Sequence, residues 1–146
     1  FTVDLGITSS RLLSFFNEDF DSQQQVDITD ACWRERIGAI LGSDDIWWNV
    51  ADESEAEISA EELRTALKAG AVPLLFEIAS DERLRDIWRS GRSPGLTELQ
   101  RLMNLGVLLR QLGPKAELAP LKTSLRELAQ VDPALARSVE SYLRRL

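Results

Sequence analysis

Histidine is absent from the 146-residue chain, and cysteine occurs once, at Cys32. Without imidazole, Ser-His-Asp and Cys-His catalysis, His-based proton transfer and most zinc and non-haem iron sites are excluded. One thiol can form neither a disulfide framework nor a thiolate metal cage, and it fits a reducing cytosol. The glycine motifs of phosphate loops and dinucleotide sites are also missing. We therefore favour a non-catalytic protein that needs no metal and no cofactor.

Long hydrophobic runs are missing too, since none approaches the ~20 apolar residues that span a bilayer. Apolar residues make up 44% of the chain and charged residues 28%, which is ordinary usage for a globular protein. We expect a cytoplasmic protein with no membrane partner and one domain over residues 1–146. Because the chain starts at Phe1 instead of Met, inside a strand-like segment, we expect the native chain to extend N-terminal of Phe1.

Positive charge is scarce in the first part of the chain. The net charge is −7 overall, but residues 1–60 hold 13 acids against three arginines, a net −10, and residues 61–146 carry +3. The acidic half should repel phosphate backbones, and the arginines of the second half are interleaved with acids on helix faces, so we expect no nucleic-acid binding. The natural complement is a protein partner with a basic surface.

Residues 1–50 are predicted to form the strand-rich part. Apolar residues alternate from Phe1 to Leu5, as in a half-buried strand, and Gly6 ends the pattern. Ser9 is a cap for a short helix, and a polar loop follows from Asn17 to Gln25. Residues 32–41 fit either a strand or a helix. We favour a hairpin in which they pair with a second strand at 46–50, across the turn-forming residues 42–45.

Residues 52–57 are acidic and predicted to be unstructured, and residues 59–146 are predicted to be helical. Ser59 and Glu62 have the spacing of a capping box, and Gly70 with Pro73 marks a break or kink in the first long helix. Ser80 is a cap for a second helix, a linker occupies residues 90–95, and Thr97 with Gln100 has the spacing of another capping box. Strands followed by helices indicate an α+β fold, with a small antiparallel sheet from the N-terminal third packed by about five C-terminal helices. Two or three strands make a poor core, so either the helices must cover them or earlier strands outside this sequence must complete the sheet.

The candidate partner- or ligand-binding residues flank the predicted turn: Arg34, Arg36, Asp45, Trp47 and Trp48. Neighbouring tryptophans on a strand point to opposite faces, so at most one can enter the core. In one interpretation, the other packs under an arginine stem or a helix. In the other, tryptophan and the arginines form an exposed docking patch, because these residue types dominate binding hot spots.

Four short motifs, in this order, carry a resemblance to a known family. They are FTVDLG at 1–6, RERIG at 34–38, DDIWW at 44–48 and AVPLL at 71–75. Their order and spacing resemble a bacterial family, the domain of unknown function DUF4304, over about Phe1 to Leu112. Two departures stand out: Asp4 occupies a position where the family usually has Asn, and the last motif is a looser version of the family's element.

The resemblance implies a fold but no chemistry. The family pattern begins earlier than this chain, with a helix and strands, which implies that Phe1 belongs to an inner strand of a larger sheet. The family brings no established activity, so no catalytic residue is carried over. The resemblance makes Arg34, Arg36, Trp47 and Trp48 signature positions of the family. Signature positions include residues that determine the fold as well as residues that bind a ligand or partner.

Two classes of function follow from these observations. The first is a protein-binding or regulatory module that presents an acidic face to a basic partner. The alternative is a small enzyme or a small-molecule or anion binder that uses the Arg and Trp residues as a clamp.

Overall fold

A computed structural model describes residues 1–17 and 27–146 of the chain. Two strands, β1 (Asp4–Ile7) and β2 (Trp33–Arg36), form an antiparallel sheet. The described α-helices are α1 (Ser10–Phe16), α2 (Ile37–Ile40), α3 (Glu53–Ala66), α4 (Val72–Ile78), α5 (Asp81–Arg89), α6 (Glu98–Leu112), α7 (Leu118–Val131) and α8 (Ala136–Arg145). Strands precede most of the helices, and the predicted α+β class is confirmed. The polar loop predicted at 17–25 lies, apart from Asn17, outside the described residues.

The predicted hairpin is wrong. Strand β2 pairs with β1, and the helix α2 begins directly after it at Ile37. Ile37 and Ile40 are three residues apart, so a helical turn sends both towards the core, whereas a strand would turn them to opposite faces. Residues 46–50 form no strand. Instead, Trp48 exchanges two backbone hydrogen bonds with Phe1, at 2.8 and 2.6 Å.

Strand β1 ends later than the predicted end at Gly6. It continues to Ile7, and Gly6 lies within it. A Cβ atom at Gly6 would lie 2.7 Å from the Cβ of Ala31 and 2.8 Å from the Cδ1 of Ile28. Only a glycine therefore allows the turn of 3₁₀-helix at 28–30 to pack this closely against the strand.

The first long helix begins earlier than predicted, and Ser59 is not its cap. Asp52 caps α3 by accepting a hydrogen bond from the amide of Glu55 at 2.9 Å, and acidic residues in a first turn suit the helix dipole. Ser59 is buried inside the helix and donates to the carbonyl oxygen of Asn49 at 3.3 Å. The acidic stretch 52–57, predicted to be unstructured, is therefore mostly helical.

The break predicted near Gly70 and Pro73 is a π-helical segment, Leu67–Ala71, which joins α3 to α4 without interruption. A wider turn accommodates a proline that lacks an amide donor. With α3 and α4 continuous, five helical bodies follow residue 50, and the prediction of about five helices is confirmed.

Two hydrophobic clusters form the core. The larger surrounds α6, whose residues from Leu102 to Leu109 are almost all buried, and it includes Trp33, Leu84 and Trp88. The smaller consists of Ile37, Trp48 and Ala71 and lies between α2, α3 and the π-helical segment. This small cluster positions the tryptophan region.

Candidate functional site

The two neighbouring tryptophans have opposite environments. Trp48 is 5% exposed, stacks on Phe1 with ring centroids 5.5 Å apart, and donates its indole N–H to Glu62 of α3 at 3.2 Å. Trp47 is 61% exposed. Extended backbone turns consecutive side chains to opposite sides, so burying one indole against α3 leaves the other in solvent. Trp48 therefore belongs to the core, and Trp47 is the one available to a partner.

Arg36 connects three of the candidate residues. Its guanidinium pairs with Asp45, lies 3.9 Å from a carboxylate oxygen of Asp4, and stands 5.8 Å from the ring centroid of Trp47. All of these groups are substantially exposed, so each contact contributes at most about 1 kcal/mol. The arrangement holds the exposed indole in place, and two carboxylates already balance the arginine's charge.

Arg34 lies apart from this group. It follows Trp33 in β2, and its amide donates to the carbonyl oxygen of Pro94 at 3.3 Å. Gly95, with a φ of +71°, approaches so closely that a Cβ there would lie 2.8 Å from the Cβ of Arg34. The connection at 90–95 is therefore packed on the edge of β2. The structure brings together Arg36, Asp45 and Trp47, and places Arg34 beside the helical half.

Sequence reasoning missed the acidic face of α3, which we define as the exposed carboxylates Asp52, Glu53, Glu55, Glu57, Glu61 and Glu62 together with Ile58. Ile58 is 58% exposed, and it lines a shallow groove with Glu61 and Glu62. Arg64 is the one basic residue of this helix, and it pairs with Glu61. The sequence did contain a signal for this part of the helix, because Asp52 followed by acidic residues is typical of a helix N-terminus and precedes Ser59.

The single thiol is poorly suited to nucleophilic chemistry. Cys32 is 6% exposed, and burial raises its pKa to about 12, so the thiol keeps its proton near neutral pH. Its sulfur donates to the carbonyl oxygen of Ile7 at 3.2 Å. Within residues 1–17 and 27–146, no three His, Cys, Asp or Glu side chains converge in a group that could hold a metal ion.

Comparison with known proteins places the chain in a family. The family model described as Domain of unknown function (DUF4304) matches residues 1–77, and the chain belongs to this family. The match includes β1, β2, α2, α3 and nearly all of α4, and ends before the Leu112 expected from the motifs. No curated protein and no solved structure matches the chain. None of the helices in the described ranges is long and apolar enough to cross a bilayer.

Proposed function

We propose that the protein is a non-catalytic cytosolic binding module, and that the acidic face of α3 docks a basic surface of a partner protein. The observation that carries the proposal is the exposure of Ile58 among carboxylates of which, in the described residues, only Glu61 pairs with a basic side chain. An apolar residue ringed by charge of one sign is the arrangement of a docking centre with a polar rim. A partner would cover Ile58 and place lysines or arginines against the surrounding acids.

The carboxylates of the acidic face are held in place by the fold, which suits recognition of a partner better than freely moving, solvated charges would. Four of its carboxylates are tied down by the fold: Asp52, Glu55 and Glu62 accept hydrogen bonds, and Glu61 pairs with Arg64. These bonds hold the four carboxylates in fixed positions around the helix. Complementary charge in such a fixed pattern chiefly speeds association and selects the partner.

Trp47 gives the module a second contact residue. It lies next to Trp48, which is bonded to α3, and the contact with Arg36 limits its rotamers. Because Arg36 is already paired with Asp45, a free anion would have to compete with that carboxylate. This favours a protein-docking role over the small-anion clamp.

The test is affinity capture from an extract of the source cells with the purified protein as bait. The variant Glu53→Lys/Glu57→Lys reverses two exposed charges of the acidic face, and Ile58→Asp removes its apolar centre. A matched control, Glu82→Lys/Glu127→Lys, makes the same charge change on α5 and α7. We expect one protein to be retained by the wild type and by the control, and to be lost from both α3 variants.

Salt dependence distinguishes specific docking from adhesion. Retention should weaken as salt rises through about 0.1–0.5 M, because the charges involved are exposed and therefore screened. The proposal fails if every protein captured by the wild type is captured equally by the α3 variants, or if the control loses the same protein.

A further inference from the structure

A cavity of about 340 Å³ lies between α1 and α6, where the chain from Thr29 to Cys32 closes one side. Its volume falls at the lower end of the range of about 300–1,000 Å³ that is typical of small-molecule sites. The walls are largely apolar, with Leu12 and Phe16 from α1 and Met103 from α6 among them. None of these residues belongs to the acidic face of α3 or to the tryptophan region.

One mostly buried polar side chain of this cavity has no partner among the described residues. Asn104 is 8% exposed and lies on α6 between apolar neighbours. The two other buried polar residues are paired: Ser9 donates to Asp81 at 2.6 Å, and Ser59 donates to the carbonyl oxygen of Asn49. Elsewhere in the described residues, the hydroxyl of Thr2 and the indole N–H of Trp88 are buried without a partner. The carboxamide of Asn104 makes no hydrogen bond to any described residue, although it lines the cavity. Its amide atoms are not enclosed in the way that Thr2 Oγ1 and Trp88 Nε1 are, so they open into the cavity, where a ligand can pair with them.

The remaining polar groups of the cavity determine which ligands it suits. Thr29, Asp30 and Gln100 are exposed residues of the lining, and Gln100 already uses its carbonyl oxygen to accept from Thr97 at 2.9 Å. Among the described residues of the lining, none is basic, and Asp30 is acidic. An anionic ligand would therefore meet a carboxylate without a compensating cation, so a neutral ligand is favoured.

We propose that this cavity binds a neutral ring compound that carries a carboxamide or lactam group, with its ring against the apolar wall and its amide paired with Asn104. A carboxamide side chain presents a donor and an acceptor side by side. A second amide can satisfy both at once, which a simple alcohol or an ether cannot do. The aromatic ring of Phe16 and the thioether of Met103 suit the flat face of such a ring.

The composition of the chain provides a direct probe. Met103 is its one methionine, so methyl-¹³C methionine labelling gives a single NMR signal that originates inside the cavity. The probes are benzamide and 2-pyridone, with benzoate as a charged analogue of the same shape and toluene as an apolar ring without the amide. We expect benzamide and 2-pyridone to shift the Met103 signal saturably. Benzoate and toluene should bind at least about tenfold more weakly, which corresponds to about 1.4 kcal/mol.

Two variants separate recognition from packing. Asn104→Leu should remain folded by far-ultraviolet circular dichroism and should lose the preference for benzamide over toluene, because the carboxamide that pairs with the ligand is gone. Asn104→Asp replaces the amide by an acid of the same shape and should lose benzamide binding even if its stability falls. Gln111→Leu, on the same helix but outside the cavity lining, should bind benzamide like the wild type.

The inference is overturned if no amide probe shifts the Met103 signal saturably in the wild-type protein. It is equally overturned if toluene binds as well as benzamide, or if Asn104→Leu retains the amide preference. None of these results bears on partner capture by α3, so the two proposals stand or fall separately.

Discussion

Replacing each of the two neighbouring tryptophans by alanine should have very different effects on stability. An aromatic side chain buries about 150–250 Å² when it is fully covered. Trp48 is 5% exposed, so at about 25 cal/mol per Å² its burial contributes about 4–6 kcal/mol, and measured truncations of buried Phe or Trp cost about 3–5 kcal/mol. We expect Trp48→Ala to lower the free energy of unfolding by about 4 kcal/mol.

Trp47→Ala is the matched control for this prediction. Trp47 is 61% exposed, so the burial of the rest of its side chain contributes no more than about 2 kcal/mol to the free energy of unfolding. This is an upper limit, because the side chain is also partly buried in the unfolded chain. The contact with Arg36 adds about 0.5–1 kcal/mol at most. The difference between the two variants should therefore be at least about 1–2 kcal/mol.

Urea unfolding followed by far-ultraviolet circular dichroism measures both values without relying on the altered fluorophore. With a slope of about 2 kcal/mol per M, Trp48→Ala should lower the midpoint by about 2 M, and Trp47→Ala by no more than about 1.5 M. Equal losses for the two variants, or a larger loss for Trp47→Ala, would refute the assignment of Trp48 to the core and of Trp47 to the surface.

Three further predictions test other parts of the fold. Gly38→Ala should destabilise the protein by about 1–3 kcal/mol in urea unfolding, because a Cβ there would overlap the carbonyl oxygen of Asp44; an unchanged midpoint would contradict the close packing of α2. Tyr142→Phe should cost about 1 kcal/mol by the same assay, since the hydroxyl donates to the carbonyl oxygen of Met103 at 2.6 Å in a buried site; no loss would mean that the bond contributes nothing. Burial raises the pKa of Cys32 from 9.0 to about 12, so above about pH 9 the unfolded chain loses a proton that the native protein keeps. This contribution to stability is complete below about pH 9 and is lost as the pH rises towards about 12, so Cys32→Ala should show a shallower alkaline decline of the urea midpoint.

Local signals predicted several helix starts correctly. Ser9 accepts from the amide of Leu12 at 3.4 Å, Ser80 accepts from Arg83, and Thr97 forms the predicted capping box with Gln100. These predictions succeed because a cap depends on residues within one turn of each other, so the sequence itself contains both partners.

The same reasoning failed at Ser59, where two signals of equal form competed. Asp52 and Ser59 are both acceptable caps, and the choice between them depends on packing. Residues 46–50 run alongside α3, so Asn49 accepts from Ser59 and Trp48 donates to Glu62. With Ser59 already used inside the helix, the helix starts at the earlier acid.

The candidate site was only partly predictable. Period-two alternation determines that Trp47 and Trp48 point to opposite sides, but the side on which α3 packs decides which of them is buried. Arg34 and Arg36 share one face of β2 by the same rule, but only Arg36 lies over Trp47, while Gly95 packs against Arg34. The buried Asn104 was not predicted, because one polar residue in an apolar helix shows its lack of a partner only after its neighbours are in place.

The amino-acid sequence by itself determined which chemistry is available, the helical nature of most of the second half and the positions of several caps. These properties depend on residue types and on spacings within a few positions. The tertiary structure decided the partner of β2, the earlier start of α3, the exposure of Trp47 and the unpaired amide of Asn104. Each of those depends on contacts between residues far apart along the chain, and such contacts are settled by how the apolar faces pack together.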